Sequence, residues 1–352
     1  MVYVLTAADR EAFTRCRRAW DLGARARRGL EPAAPPAGFD LARALRDALA
    51  VYYFPGMWDW ERAIVQPLAD RALERSYAAE RAALEGGPGA GGAGPGRDGG
   101  SREEDGGARE DDGGAREDDG GRAWDGLLRT GRDLVERYGG WAPGVDRFTP
   151  LRVETDFEAT VPDPARPGHD LPGPDGSGVR YRGRVDVLVA DDDGRHWVVA
   201  HRVSQAAFAG RELLRLDEDG LSSCWGWQRC YLDAPISGTL YNEVRIVGDP
   251  HFRRTAVPRS RVELDRFEER LAGLAQEMTS PALQVYPSPT ADHCRACSFR
   301  APCLAMNDGS DVAGALAAYR PLPPDELVEG RLGGTSWSMG RGAAPPRFGR
   351  RL

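Results

Sequence analysis

The chain contains no lysine; all 47 of its basic residues are arginine. Every chemistry that needs a lysine, whether as a base, a Schiff-base amine or a water-positioning cation, is thereby excluded. Long hydrophobic runs are missing as well, and the opening MVYVLTAADREAF has no basic start followed by an extended apolar stretch. Neither a spanning helix nor a secretory leader is therefore expected, and the chain reads as cytoplasmic with no membrane partner. Cysteine is sparse, six in 352 residues, which points to thiols or metal ligands rather than to a disulfide-stapled secreted fold. A net positive charge is lacking too. The formal charge is −7, but residues 85–122 hold eleven acids against five arginines, so that segment alone supplies −6 and the remainder is near neutral.

What is present divides the chain into four parts. Residues 1–84 read as helical: an arginine-rich helix over 8–30, a second from Phe39 to Tyr53 and a third from Trp58 to Leu84. Tyr52, Tyr53, Phe54, Trp58 and Trp60 are expected in the core. Residues 85–122 contain the repeats REEDGGA, REDDGGA and REDDGGR, which bury too little apolar surface to offset their ordering entropy and read as a disordered linker. Residues 123–305 alternate helical and strand patterns: a helix over Ala123–Tyr138, a strand over Leu151–Val161, a hairpin over Tyr181–Ser204, helices near Gln205–Leu216 and Leu221–Leu232, a strand over Gly238–Val247 and a helix over Val262–Met278. That alternation predicts an α/β domain with a mixed sheet flanked by helices. Residues 306–352 read as a short helix followed by a basic, loosely attached tail.

The hairpin carries the residue that most needs explaining. Side chains alternate along a strand, so Arg184, Asp186 and Leu188 are expected on one face and Val185, Val187 and Val189 on the other. An aspartate in the middle of an apolar strand is costly to bury without a metal, a cation or a hydrogen-bond donor. Glu154, Asp156 and Glu158 share one face of the preceding strand, and Ala200 and Arg202 share one face of the strand after the turn. A pairing of Asp186 with Arg184 or Arg202 across the hairpin is the structural alternative to a metal. His201 is expected to face away from Asp186.

The cysteines form a second pattern. Cys294, Cys297 and Cys303 make C-x-x-C-x(5)-C near the C-terminus, and Cys16 lies near the N-terminus. Thiolates select zinc or an iron-sulfur cluster, three cysteines with His293 would also hold zinc, and free buried cysteines with no metal are the third reading. Cys224 and Cys230, in a tryptophan-rich helical stretch, read as free buried thiols.

The hairpin YRGRVDVLVA-DDDG-RHWVVAHRVS, with FTRCRRAWDL before it and HCRACSFRAPC after it, resembles the RecB-like PD-(D/E)XK nucleases. The closer resemblance is to their iron-sulfur branch, which includes AddB nuclease domains and some CRISPR-associated exonucleases. That resemblance implies a restriction-endonuclease-like core, with an N-terminal helical region and a C-terminal cysteine cluster. It also implies a [4Fe-4S] cluster on Cys16, Cys294, Cys297 and Cys303, with zinc as the alternative. Asp186 matches the family's metal-binding aspartate. Ala200 stands where the second acid belongs, Arg202 where the lysine belongs, and Arg46 near the place of the helix histidine. Glu154 or Asp156 of the adjacent strand, or His201, is available to replace the missing Mg²⁺ ligand. The resemblance further implies DNA as a partner, with Arg15, Arg17, Arg18 and Arg46 as candidate phosphate contacts and a helicase or recombination protein as a further partner. The reading is a nuclease-fold protein with impaired or lost activity. The alternatives are an active Mg²⁺-dependent exonuclease of DNA repair or recombination, and a non-enzymatic structural or regulatory metal-cluster protein.

Overall fold

The structure is a computed structural model that describes residues 2–33, 39–85, 114–231, 235–248 and 251–322. The expected linker as far as residue 113 and the basic tail from residue 323 lie outside the described residues.

In chain order the elements are β1 (Val4–Leu5), α1 (Ala7–Arg15), α2 (Arg17–Gly23), β2 (Leu30–Pro32), α3 (Leu41–Tyr52), α4 (Arg62–Glu85) and α5 (Gly114–Val145). They continue with β3 (Phe148–Thr160), β4 (Arg180–Asp191), β5 (His196–Ser204), α6 (Arg211–Arg215), α7 (Glu218–Cys230), β6 (Ile236–Arg245) and β7 (His251–Pro258). The last are α8 (Arg261–Thr279), α9 (Ala291–Arg295), α10 (Arg300–Asp308), α11 (Val312–Leu316) and β8 (Tyr319–Pro321). The main sheet is mixed. β3 pairs antiparallel with β4, β4 with β5 and β6 with β7, while β5 and β6 run parallel and β1 lies parallel to the start of β4. A small antiparallel ribbon joins β2 to β8, so the two ends of the described chain meet.

Two cores sandwich the sheet. On one face Tyr181, Val185, Leu188 and Val198 pack with Trp20, Trp225, Trp227 and Phe267 of α2, α7 and α8. On the other Val187, Val189 and Val199 pack with Leu45, Leu49, Leu73, Leu134 and Tyr138 of α3, α4 and α5. Each fully buried leucine or valine contributes about 1.5–3 kcal/mol. Asp40 caps α3 through the Arg43 N–H, and Ser260 and Glu263 form a reciprocal capping box on α8. α7 lies so close to β3 that a Cβ on Gly226 would meet the Phe157 ring at 2.0 Å. Among the described residues no helix is long and apolar enough to cross a membrane.

Several expectations are corrected. The arginine-rich segment is two helices, because Cys16 takes an extended conformation, φ −160° and ψ 110°, that ends α1 and starts α2. α5 begins at Gly114, inside the stretch assigned to the linker. Once its later turns pack against α3 and α4, each preceding residue adds a hydrogen bond without a new nucleation cost. The helix near Gln205 shrinks to α6. β7 is an addition to the expected strands: Arg253 and Arg254 interrupt its apolar pattern, yet both are neutralised inside the fold. Trp60 is exposed and so does not join the aromatic core, and Cys230 is exposed at the end of α7 while Cys224 is buried.

Candidate functional site

The strict alternation expected along β4 fails at Asp186. Val185 faces the core with α7 and α8, whereas Val187 and Val189 face the core with α3 to α5; Leu188 joins Val185. The face switch falls where Glu154 of β3 stands opposite Asp186, between the pairs Val153–Val187 and Thr155–Val185. Glu154 is in the left-handed region at φ 45°, and no other non-glycine residue among those described has a positive φ. Such a conformation costs about 1 kcal/mol or more, so the surrounding ladder must hold it there.

At the same level β4 and β5 part. Their backbone pairing stops at Val187–Val199. The Asp186 carboxylate fills the gap by accepting the His201 backbone N–H at 2.8 Å. Burial raises the Asp186 carboxyl above the usual carboxylate range, while that N–H and the charges of Arg46, Arg202 and Arg184 pull it down. Glu154 is pushed up to about 7, first by burial and then by the charge of Asp186, against the pull of Arg184. The two carboxylates named from the sequence are therefore electrostatic neighbours.

The cations are placed differently from the expected pairing. Arg184 holds Asp156 through two bonds of 2.6 and 2.9 Å and reaches Glu154 at 3.1 Å. Arg202 grips both Asp217 oxygens at 2.7 Å and touches Asp219 at 3.3 Å. Neither forms the direct ion pair with Asp186; Arg184 stands directly opposite Asp156 in the β3–β4 ladder, and the start of α7 offers Arg202 two acids. Ala200 packs against Leu214, Tyr241 and Val257, where a carboxylate would have to be desolvated. Arg46 is exposed on α3, near enough for Asp186 and His201 to feel its charge.

His201 itself points into the opposite core. It is buried, its Nδ1 meets the Asn242 amide at 2.8 Å, its ring stacks on Tyr53, and burial lowers its pKa to about 3. It is neutral near pH 7. Around it runs a buried network that sequence reading missed. Arg254 pairs with Asp146 at 2.6 Å and donates to the hydroxyls of Tyr53 and Tyr138 at 2.9 and 3.0 Å. Asp146 is 3% exposed, and nothing in its own stretch of sequence signals a distant arginine partner.

The cysteine pattern is gathered in space. The helix break at Cys16 turns that residue into the protein, and the β2–β8 ribbon brings α9 and α10 beside α2. Burial raises the Cys297 thiol against a lowering backbone hydrogen bond from Phe299, and the charges of Cys16, Cys303 and Cys294 add to the rise, so Cys297 is near enough to the other three to feel them. Arg18 donates to the Cys303 carbonyl at 3.4 Å and Phe299 stacks on Tyr319. All six cysteines are free. As the side chains lie, no group of three or more histidine, cysteine, aspartate or glutamate residues among those described is arranged to hold a metal ion.

Of the proposed phosphate-contacting arginines, Arg17 is engaged internally. It pairs with Glu277 and lies over the rings of Phe13 and Tyr286. Arg15 is exposed beside Glu11, and Arg18 faces the cysteine segment.

No family model and no curated protein matches the chain. Among solved structures it is similar to one described as the crystal structure of SSO0001, at 14% identity and a TM-score of 0.30. The similarity covers 53% of this chain and 74% of the other, and a score that low carries no argument about function.

Proposed function

We propose that this chain is a PD-(D/E)XK-like protein whose metal-dependent nuclease chemistry has been lost and whose scaffold is kept to bind DNA. The observation that carries this reading is the content of the site. Ala200 offers no ligand, Arg202 is bound to Asp217 and Asp219, and the Arg184 guanidinium lies against Glu154, where a second metal-binding carboxylate would be needed. One free carboxylate holds Mg²⁺ poorly, and an arginine stays protonated and cannot act as a base. The residues present therefore do not fit a catalytic Mg²⁺ centre, and no hydrolytic step is derived through one. The divergence of β4 and β5 at Asp186 supports this reading, because it sets a buried carboxylate at a strand fork, where it accepts the His201 N–H and feels the charge of Arg46 on α3.

The donor chemistry of the cysteine neighbourhood suits a soft metal group, although its side chains as they lie are not arranged around one. Cys16, Cys294, Cys297 and Cys303 supply sulfur donors only, which suits a [4Fe-4S] cluster first and zinc second. Bound there, the group would cross-link the two ends of the chain beside the β2–β8 ribbon. The protein's own contribution is to hold Cys16 at a helix break and to wall the site with Phe299 and Tyr319.

Equilibrium binding of the full chain to end-labelled single-stranded and duplex DNA, titrated with salt, tests the reading. Phosphate contacts require affinity to fall steeply as salt rises, by about 0.7–0.9 in logarithmic slope per contact. Absent or salt-independent binding would leave the metal-cluster reading without nucleic acid. Glu154 and Asp186, being neighbours, favour one second reading, a cation site that assembles only with substrate phosphates, and DNA cleavage in Mg²⁺ or Mn²⁺ would establish it.

A further inference from the structure

α2 ends at Gly23, and the chain then folds back on itself in a turn. The N–H groups of Arg27 and Gly29 both return to the Ala24 carbonyl, and the Arg28 N–H reaches the Asp21 carbonyl at 3.1 Å. Gly29 takes φ 58°, a conformation that a side chain would strain. The result is that two consecutive arginines converge on one acid. Arg27 Nε donates to Asp21 at 2.8 Å and Arg28 Nε to its other oxygen at 3.2 Å. Arg27 also lies 5.2 Å over the Trp20 ring.

This cluster lines a cavity of about 560 Å³ together with Arg18, Val285 and Met306. Three guanidiniums against one carboxylate leave the lining at +2. Asp21 is 10% exposed on its side chain, whereas Arg27 and Arg28 are 35% and 49% exposed, so the acid acts from beneath as a brace while the forks above it face solvent. Each guanidinium carries five donors and the bonds to Asp21 use only some of them. The geometry suits an anion with several acceptor oxygens, and the planar fork of arginine matches phosphate best. Val285 and Met306 add an apolar wall of the kind on which a sugar or base can rest.

We propose that this cavity is a phosphate-binding site for a nucleotide, taking either the phosphate of a free mononucleotide or that of a nucleic acid strand. The strand case rests on the DNA-binding reading above. The site lies on the same α2 that carries Arg18 to Cys303, so an occupied cavity and the cysteine segment share one wall.

The test uses the full chain and three probes: inorganic phosphate, thymidine 5′-monophosphate, and a short oligothymidylate with and without a 5′-phosphate. Binding is measured by calorimetry at two salt concentrations for wild type and for Arg27→Gln/Arg28→Gln. The triple variant Asp21→Asn/Arg27→Gln/Arg28→Gln guards against misfolding from an unpaired buried acid. The proposal expects both variants to bind the phosphorylated probes about tenfold more weakly or worse. The oligonucleotide's salt slope should fall by about 0.7 for each phosphate that an arginine no longer neutralises. Mononucleotide binding that disappears in the variants, in a protein that binds no DNA, supports the cavity and overturns the DNA reading. Oligonucleotide binding that is equal in wild type and both variants overturns the cavity and leaves the DNA reading standing. A wild type that binds none of the probes overturns both.

Discussion

Glu154 offers the most quantitative test of how the carboxylate site is built. Its folded pKa is raised from 4.5 to about 7, so over that interval the folded state holds a proton that the unfolded state has released. Stability from this group is therefore full below about pH 4.5, declines as pH rises toward 7, and stays low above it. A gap of about 2.5 pH units at about 1.4 kcal/mol each makes the loss about 3 kcal/mol, an order-of-magnitude figure for a side chain that remains partly hydrated. Glu154→Gln keeps the shape and the left-handed backbone but cannot ionise. It should match wild type near pH 4.5 and exceed it by about 3 kcal/mol at pH 8. Urea unfolding across that range measures both curves. Mg²⁺ should not alter the wild-type curve, because Arg184 already lies against this carboxylate. Parallel curves for the two proteins, or a wild-type penalty that Mg²⁺ erases, would refute the reasoning.

Three further predictions concern other parts of the molecule. Asp146→Ala leaves the nearly buried Arg254 without its counter-charge and should cost about 3–5 kcal/mol in urea unfolding; a loss below about 1 kcal/mol would mean the pair is solvated. Gly226→Ala drives a methyl into the Phe157 ring and should destabilise by about 1–3 kcal/mol, measured as a drop in Tm, whereas an unchanged Tm would show that α7 can lift from the sheet. Cys297→Ser should abolish metal content and any visible absorbance in anaerobically purified protein. Full iron or zinc retained by that variant would remove the four-cysteine site.

The α/β layering, the hairpin and the long helices were legible because their apolar periods are strong. The pairing of Glu154 with Asp186 was legible as a chemical possibility, but its cause was not. Alternation is a local rule, and the face switch at Asp186 arises where one strand exchanges β1 for β5 as its neighbour. β7 and the Arg254 network escaped for a related reason: a buried arginine reads as a surface residue until a carboxylate more than a hundred positions away, Asp146, is seen beside it. The break at Cys16 was hidden because its neighbours are good helix formers. Only packing of α2 against the C-terminal segment shows why the chain turns there.

The central proposal is that the chain has a PD-(D/E)XK-like scaffold that does not perform metal-dependent cleavage. The most direct measurement is degradation of end-labelled single-stranded and duplex DNA by anaerobically purified full-length protein in Mg²⁺ and in Mn²⁺, beside Asp186→Ala. Intact DNA with both proteins is the predicted result, together with salt-sensitive binding by the wild type. Cleavage by the wild type that vanishes in Asp186→Ala would contradict it, and would mean that Glu154 leaves Arg184 to hold a metal once substrate phosphates arrive.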